Sequence, residues 1–124
     1  MRDYTKIETW RLADEFAIAI YESTRSFPRE ELYGLTSQIR RAAVSVAANV
    51  VEGSSRESKK DFLHFLHVAR GSLSEAQYFV RLARRLGYCR ADVATQLVAQ
   101  SRQCYACLHG LIAAVEREAG GTSW

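Results

Sequence analysis

The sequence predicts an all-α protein, an antiparallel up-down-up-down four-helix bundle whose subunits associate with copies of themselves. Three observations lead there. Four long segments repeat apolar residues at spacings of three and four, the period of a helix, and none alternates as a strand would. The chain has a single proline, Pro28, and its glycines fall mostly where those segments end. Two of the segments also carry more apolar surface than one core can enclose. At 124 residues, with 48% hydrophobic and 25% charged residues, the chain has the length and balance of one globular domain. That domain is expected over residues 1–118, with residues 119–124 as a flexible tail.

The first helix is expected from about Ile7 to Arg25. Thr5 and Glu8 have the spacing of a capping box, in which each side chain satisfies an amide near the other. Ala13, Phe16, Ala17, Ile20, Thr24 and Phe27 form its buried stripe. Phe27-Pro28 ends it, because proline lacks the amide and disfavours helix in the residue before it. The second helix should cover about Glu30 to Glu52, with Gly53 as its C-cap. It buries Leu35, Ile39, Ala42, Val46 and Val50, and carries Gln38, Arg41, Ser45, Asn49 and Glu52 as a polar edge. At about 100° per residue, Val44, Ala47, Ala48 and Val51 fall on the side away from that core, which makes a second apolar face.

Ser58 and Asp61 have capping-box spacing for a third helix, about Lys59 to Leu86. Phe62, Phe65, Leu66, Ala69, Leu73, Ala76, Val80 and Ala83 are its core stripe, with Val68, Phe79, Leu82 and Leu86 on a flank. Gly87 stops it. In the fourth helix, about Ala91 to Glu118, Ala94, Leu97, Ser101, Cys104, Leu108, Leu111 and Val115 make a heptad-like seam suited to shallow-angle packing. Four such helices joined by short turns predict up-down connectivity. A lone subunit would leave its flanking stripes as an apolar patch of a size soluble proteins seldom expose. A homo-oligomer follows, with Arg40, Val44, Ala47, Ala48, Val51, Val68, Phe79 and Leu82 at the contact. Small Ala47 and Ala48 permit close helix approach.

The formal charge of +3 is unevenly spread: residues 1–31 carry −2, residues 32–90 carry +6 and residues 91–124 carry −1. On the third helix Lys59, Lys60, His67, Arg70, Arg81, Arg84 and Arg85 fall within about a third of the circumference, with Ser74, Gln77 and Tyr78 between them and no acid in the sector. The stripe would extend about 39 Å at about 1.5 Å per residue, long enough to follow several phosphates and release their counterions. Lys59, Lys60, Arg70, Arg81, Arg84 and Arg85 are the candidate contacts to RNA or DNA. The opposing reading is a solvated face, or pairing with acids such as Glu8, Glu15 and Glu22, which repeat every seven residues along the first helix. Arg40 is expected to pair with a carboxylate such as Glu75, and Asn49 to make a hydrogen bond that fixes helix register.

No reaction can be read from the chain. No elbow motif presents a serine or cysteine nucleophile, and no Gly-rich loop follows a strand. Cys104 and Cys107, and His64 and His67, have ligand-like spacings, but their helical faces diverge, so no metal and no cofactor is expected. Three cysteines without framework spacing suit a reducing compartment. The N-terminal sixteen residues contain no apolar run that would make a signal or a membrane span, so a cytoplasmic protein without a membrane partner is expected.

The stretches GLTSQIRRAAVSVAANVVEG, SRESKKDFLHFLHVARGSLSE and RLGY, with Trp10, Phe27 and Pro28 before them, resemble the bacterial 23S rRNA intervening-sequence four-helix-bundle proteins. The resemblance runs from Tyr4 to about Glu118. It implies a ring-like assembly, typically a homopentamer, without established enzymatic activity. The accessory proteins of diversity-generating retroelements, basic pentameric barrels that bind nucleic acid and a reverse transcriptase, are more distantly similar. That similarity implies a nucleic-acid-processing protein as a further partner class. Two positions depart from the pattern: Ala47 stands where a helix-kinking proline is frequent, and Arg90 replaces the usual serine cap of the fourth helix. The function these residues suggest is a non-enzymatic scaffold presenting basic surface to nucleic acid. The alternative is a structural or protein-interaction scaffold without it.

Overall fold

The computed structural model describes residues 2–118, and four α-helices carry them: α1 Glu8–Thr24, α2 Leu35–Ser54, α3 Lys59–Arg85 and α4 Ala91–Arg117, with 3-10 turns at Tyr4–Lys6 and Arg29–Glu31. There is no strand among the described residues. The tail expected at residues 119–124 lies outside them. α2 packs between α1 and α3, and α4 closes the bundle against the same two helices. Phe16, Ile20, Ile39, Val46, Phe62, Leu66, Leu73, Val80 and Leu108 are the bulk of a single core in the middle.

The buried stripes follow the expected period with local corrections. α1 opens without a side-chain cap at Ile7; Asp3 instead caps the preceding 3-10 turn by accepting from the Thr5 amide. The Thr5–Glu8 box does not form, because Glu8 is drawn to Arg11, whose guanidinium meets both its oxygens at 2.7 and 2.8 Å. α2 starts five residues later than expected. Pro28 holds the chain extended, a 3-10 turn follows, and the Glu31 carboxylate then accepts from the Leu35 amide at 3.1 Å. That bond, with the Tyr88 hydroxyl at 2.9 Å, holds the Glu31 carboxyl below its usual range. In α4, Ile112 rather than Leu111 occupies the core, with Leu111 half-buried.

Gly53 is no C-cap. It lies inside α2, where a Cβ would sit 3.0 Å from Phe62 Cδ1 and 3.1 Å from Phe65 Cβ. The missing side chain is what lets α2 and α3 approach at that end. The glycine that does end a helix is Gly87, at φ +79°, where Tyr88 donates back to the Ala83 carbonyl at 2.9 Å. Ser58 caps α3 as expected, accepting from the Asp61 amide at 3.1 Å. α2 continues through Ala47 without a break, and Arg90 makes no cap bond, its guanidinium folding onto Asp92 instead.

Candidate nucleic-acid interface

The helical period sends the basic residues of α3 to its α4 side, opposite the flank that carries Val68 and Phe79. There they meet a wall of α4 built from Thr95, Val98, Ala99, Arg102 and Tyr105. One depression of about 410 Å³ lies between Arg81 and Arg84 on α3 and Arg102 on α4, floored by Ala94 and Val98. A second, about 330 Å³, shares Arg102 and runs along Ser74, Gln77, Ser101 and Tyr105. On the outer crown of α3 a third, about 370 Å³, shares Arg81 and Arg84 and reaches Tyr78 and Arg85. The first two make a shallow trough along the α3–α4 seam, and the third adjoins it at Arg81 and Arg84, where Leu82 also lines it. Gln77 donates to Ser101 Oγ at 2.8 Å and Ser101 donates to the Val98 carbonyl, so the trough's floor is fixed by hydrogen bonds.

Among the described residues, no ion pair engages the arginines of this trough. The ion pairs among the described residues lie elsewhere: Arg11 with Glu8 and Glu15, Arg41 with Glu75, Arg56 with Glu52, and Arg90 with Asp92. Glu8 and Glu15, offered by the sequence as partners for the stripe, are spent on Arg11 within their own helix, and α1 is not an adjacent helix to α3 in the bundle. Arg81, Arg84 and Arg85 are exposed, as are Lys60 and Arg102. Arg70 is half-buried and donates to His67 Nδ1 at 2.9 Å.

Lys59 differs from the rest of the set. Its ammonium donates to the carbonyls of Glu116 at 2.9 Å and Glu118 at 2.7 Å, tying the start of α3 to the end of α4. There it neutralises the partial negative charge that a helix gathers at its C-terminus. Arg102 and Tyr105 were missed by the sequence reading. Their signal lay in α4's helical wheel, on the side that faces α3.

The proposed contact residues divide into two groups. Val44, Ala48 and Val68 are exposed, Val44 at 41% and Val68 at 39%. Ala47, Val51, Phe79 and Leu82 are half-buried, and Ala47 and Phe79 pack against the core of their own subunit. The buried arc of α2 is wider toward α1 than a five-residue stripe allows, since Thr36 and Ala43 are also fully enclosed. Ala47 and Val51 therefore flank that arc rather than oppose it. Arg40 does not reach Glu75. Its Nε donates to Thr24 Oγ1 at 2.8 Å and its guanidinium stacks on the Tyr21 ring at 4.8 Å, while Arg41 is the residue that approaches Glu75, at 3.9 Å. Asn49 is hydrogen-bonded within α2, to the Ser45 carbonyl and hydroxyl, and the bond that crosses to α3 is Ser45 to Ser72 at 2.8 Å.

Nothing in the described residues gathers three or more metal-ligating side chains. Cys104 is enclosed in the core, where burial pushes its thiol up to about 12, and Cys107 contacts Thr9 Oγ1 at 3.2 Å. His64 and His67 are on the exposed side of α3. No helix among the described residues is long and apolar enough to cross a membrane.

A family model described as 23S rRNA-intervening sequence protein matches residues 5–110. A crystal structure of a protein of unknown function from the S23 ribosomal protein family of Bacteroides thetaiotaomicron superposes with a TM-score of 0.79. The alignment covers 85% of this chain and 95% of that one at 24% identity, so the likeness concerns the fold. A search of curated proteins returns no match.

Proposed function

The chain belongs to the 23S rRNA-intervening sequence protein family, and on that premise we propose a non-enzymatic, homo-oligomeric scaffold that presents repeated cationic surface to RNA or DNA. The observation that carries this reading is the α3–α4 trough, where Arg81, Arg84 and Arg102 converge from two helices with no carboxylate among the described residues that line it. Guanidinium groups so placed bind phosphates as point charges and forks, positioning a nucleic-acid backbone without reading its bases.

The bundle is antiparallel in this reading. Along α2 and α3, Gly53 pairs with Phe62, Ser45 with Ser72 and Arg41 with Glu75, a series that runs in opposite directions on the two helices. Self-association rests on apolar side chains left open on three helices: Ile18 and Tyr21 on α1, Val44 and Ala48 on α2, and Val68, Leu82 and Leu86 on α3. A ring uses two different surfaces of each subunit, one meeting the other around the circle. A pentamer is the size the family resemblance implies. Arg102 and Tyr105 lie on the α4 side, away from Val68, so a ring closed through Val68 leaves that wall of the trough open, while Leu82 borders the depression at Arg81 and Arg84. Free cysteines at Cys89, Cys104 and Cys107 fit a cytoplasmic setting, and a nucleic-acid-processing protein is a further partner class.

The test is titration of generic RNA and DNA at two salt concentrations with wild type and with Arg81, Arg84 and Arg85 changed together to glutamate, oligomer mass being followed in parallel. The triple variant keeps its mass and loses binding. Unchanged binding refutes the reading, and dissociation of the oligomer assigns those arginines to assembly instead.

A further inference from the structure

Resting on that reading, we propose that the ligand of the trough is a single strand, its backbone held by Arg81, Arg84 and Arg102 and its bases stacked on Tyr105 and Tyr78. The three depressions share their arginines. Arg102 belongs to the first and second, and Arg81 and Arg84 to the first and third. Tyr105 therefore shares the second depression with Arg102, and Tyr78 shares the third with Arg81 and Arg84, so each ring has guanidinium groups beside it. Both residues are open to solvent, Tyr105 at 41% and Tyr78 at 58%. Large aromatic residues left uncovered beside guanidinium groups free of ion pairs among the described residues are the two components of a single-strand site: a cationic track for phosphates and faces on which any base can stack.

The walls decide between a strand and a duplex. Neighbouring packed helices stand about 8–10 Å apart, so the trough between α3 and α4 is about one side chain wide. A rigid duplex resting on the crown of α3 reaches Arg85 and Arg81, but it cannot descend to Tyr105 or the α4 wall. A single strand can, and its unpaired bases are free to turn toward the rings. Ser74, Gln77 and Thr95 along the same path supply neutral polar groups that suit sugars and base edges without imposing a sequence. Arg102 is the discriminating residue, since it lies on α4 and off the stripe that a duplex would follow.

The experiment measures fluorescence anisotropy of labelled oligouridine and of a mixed-sequence RNA duplex with the same number of phosphates, using the full chain in its native assembly. Wild type binds the single strand at least tenfold more tightly than the duplex. Tyr105→Leu and Tyr78→Leu keep apolar bulk without an aromatic face. Each weakens single-strand binding about five- to tenfold, leaving duplex binding and the salt slope unchanged. Arg102→Gln lowers the single-strand slope of log affinity against log salt by about 0.7, the share of one phosphate contact. Equal or tighter duplex binding, or tyrosine variants that bind the single strand as wild type does, overturns the single-strand assignment and leaves nucleic-acid binding standing. Absence of binding to either probe overturns both. Circular dichroism on each variant confirms that these exposed substitutions leave the helices intact.

Discussion

Lys59 and Lys60 are neighbours in sequence, share a charge, and should give opposite phenotypes when changed to methionine. Lys59 is half-buried and donates to two carbonyls at the end of α4, at 2.9 and 2.7 Å. A charged hydrogen bond contributes about 1.5–3 kcal/mol when shielded, and a cation at a helix C-terminus about 0.3–1 kcal/mol. Discounting for partial exposure, Lys59→Met should cost about 1–2 kcal/mol, and a chain of this length should melt roughly 4–8 °C lower. Its affinity for RNA and its salt slope should hardly change, because the ammonium was already engaged. Lys60 is exposed and makes no hydrogen bond among the described residues. Lys60→Met should leave stability within about 0.5 kcal/mol while lowering the salt slope by about 0.7–0.9. Thermal melts followed at 222 nm and titrations at three salt concentrations read both quantities. A Lys59 variant that melts like wild type and binds RNA less well would refute the assignment.

Three further outcomes follow from named contacts. Gly53→Val should be destabilised by about 1–3 kcal/mol, since its Cβ would lie 3.0 Å from a fully buried Phe62; denaturant melts check this, and a more stable variant contradicts the close approach. Ala48→Glu should yield folded single subunits, because the position is exposed within one chain while a charge buried against a neighbour without a partner is strongly disfavoured; light scattering with circular dichroism shows whether mass falls and helicity stays. The Glu31 carboxyl has its pKa lowered from 4.5 by the Leu35 amide and the Tyr88 hydroxyl. A depressed carboxyl stabilises above its unfolded value and loses that contribution as pH falls through the folded one. Glu31→Gln should therefore lose less stability than wild type on acidification below about pH 4.5, in melts at stepped pH.

The buried faces were legible because each helix repeats its apolar residues long enough to fix a direction. Every residue of the expected α3 stripe except Phe65 is enclosed, and Phe65 lies half-buried under the Arg56 guanidinium at 5.0 Å. What sequence spacing could not supply is the neighbour. Ala43 and Thr36 are buried on the α1 side of α2, and near the end of α4 Ile112 rather than Leu111 meets the core. Caps failed where a nearer partner competed, as Arg11 does for Glu8. The basic stripe of α3 was visible on one helical wheel. Its second wall, Arg102 and Tyr105, emerges only when two wheels are set side by side, and the same juxtaposition removes Lys59 from the free charges.

The central claim is that the basic stripe of α3, with the trough it forms against α4, carries phosphate-binding charge. Its most direct test is the affinity of wild-type protein for a generic single-stranded RNA measured across a range of salt concentrations. With Lys60, Arg70, Arg81, Arg84, Arg85 and Arg102 all engaged, log affinity should fall linearly with log salt at a slope of about −4. No detectable binding at low salt, or a slope near zero, would contradict it.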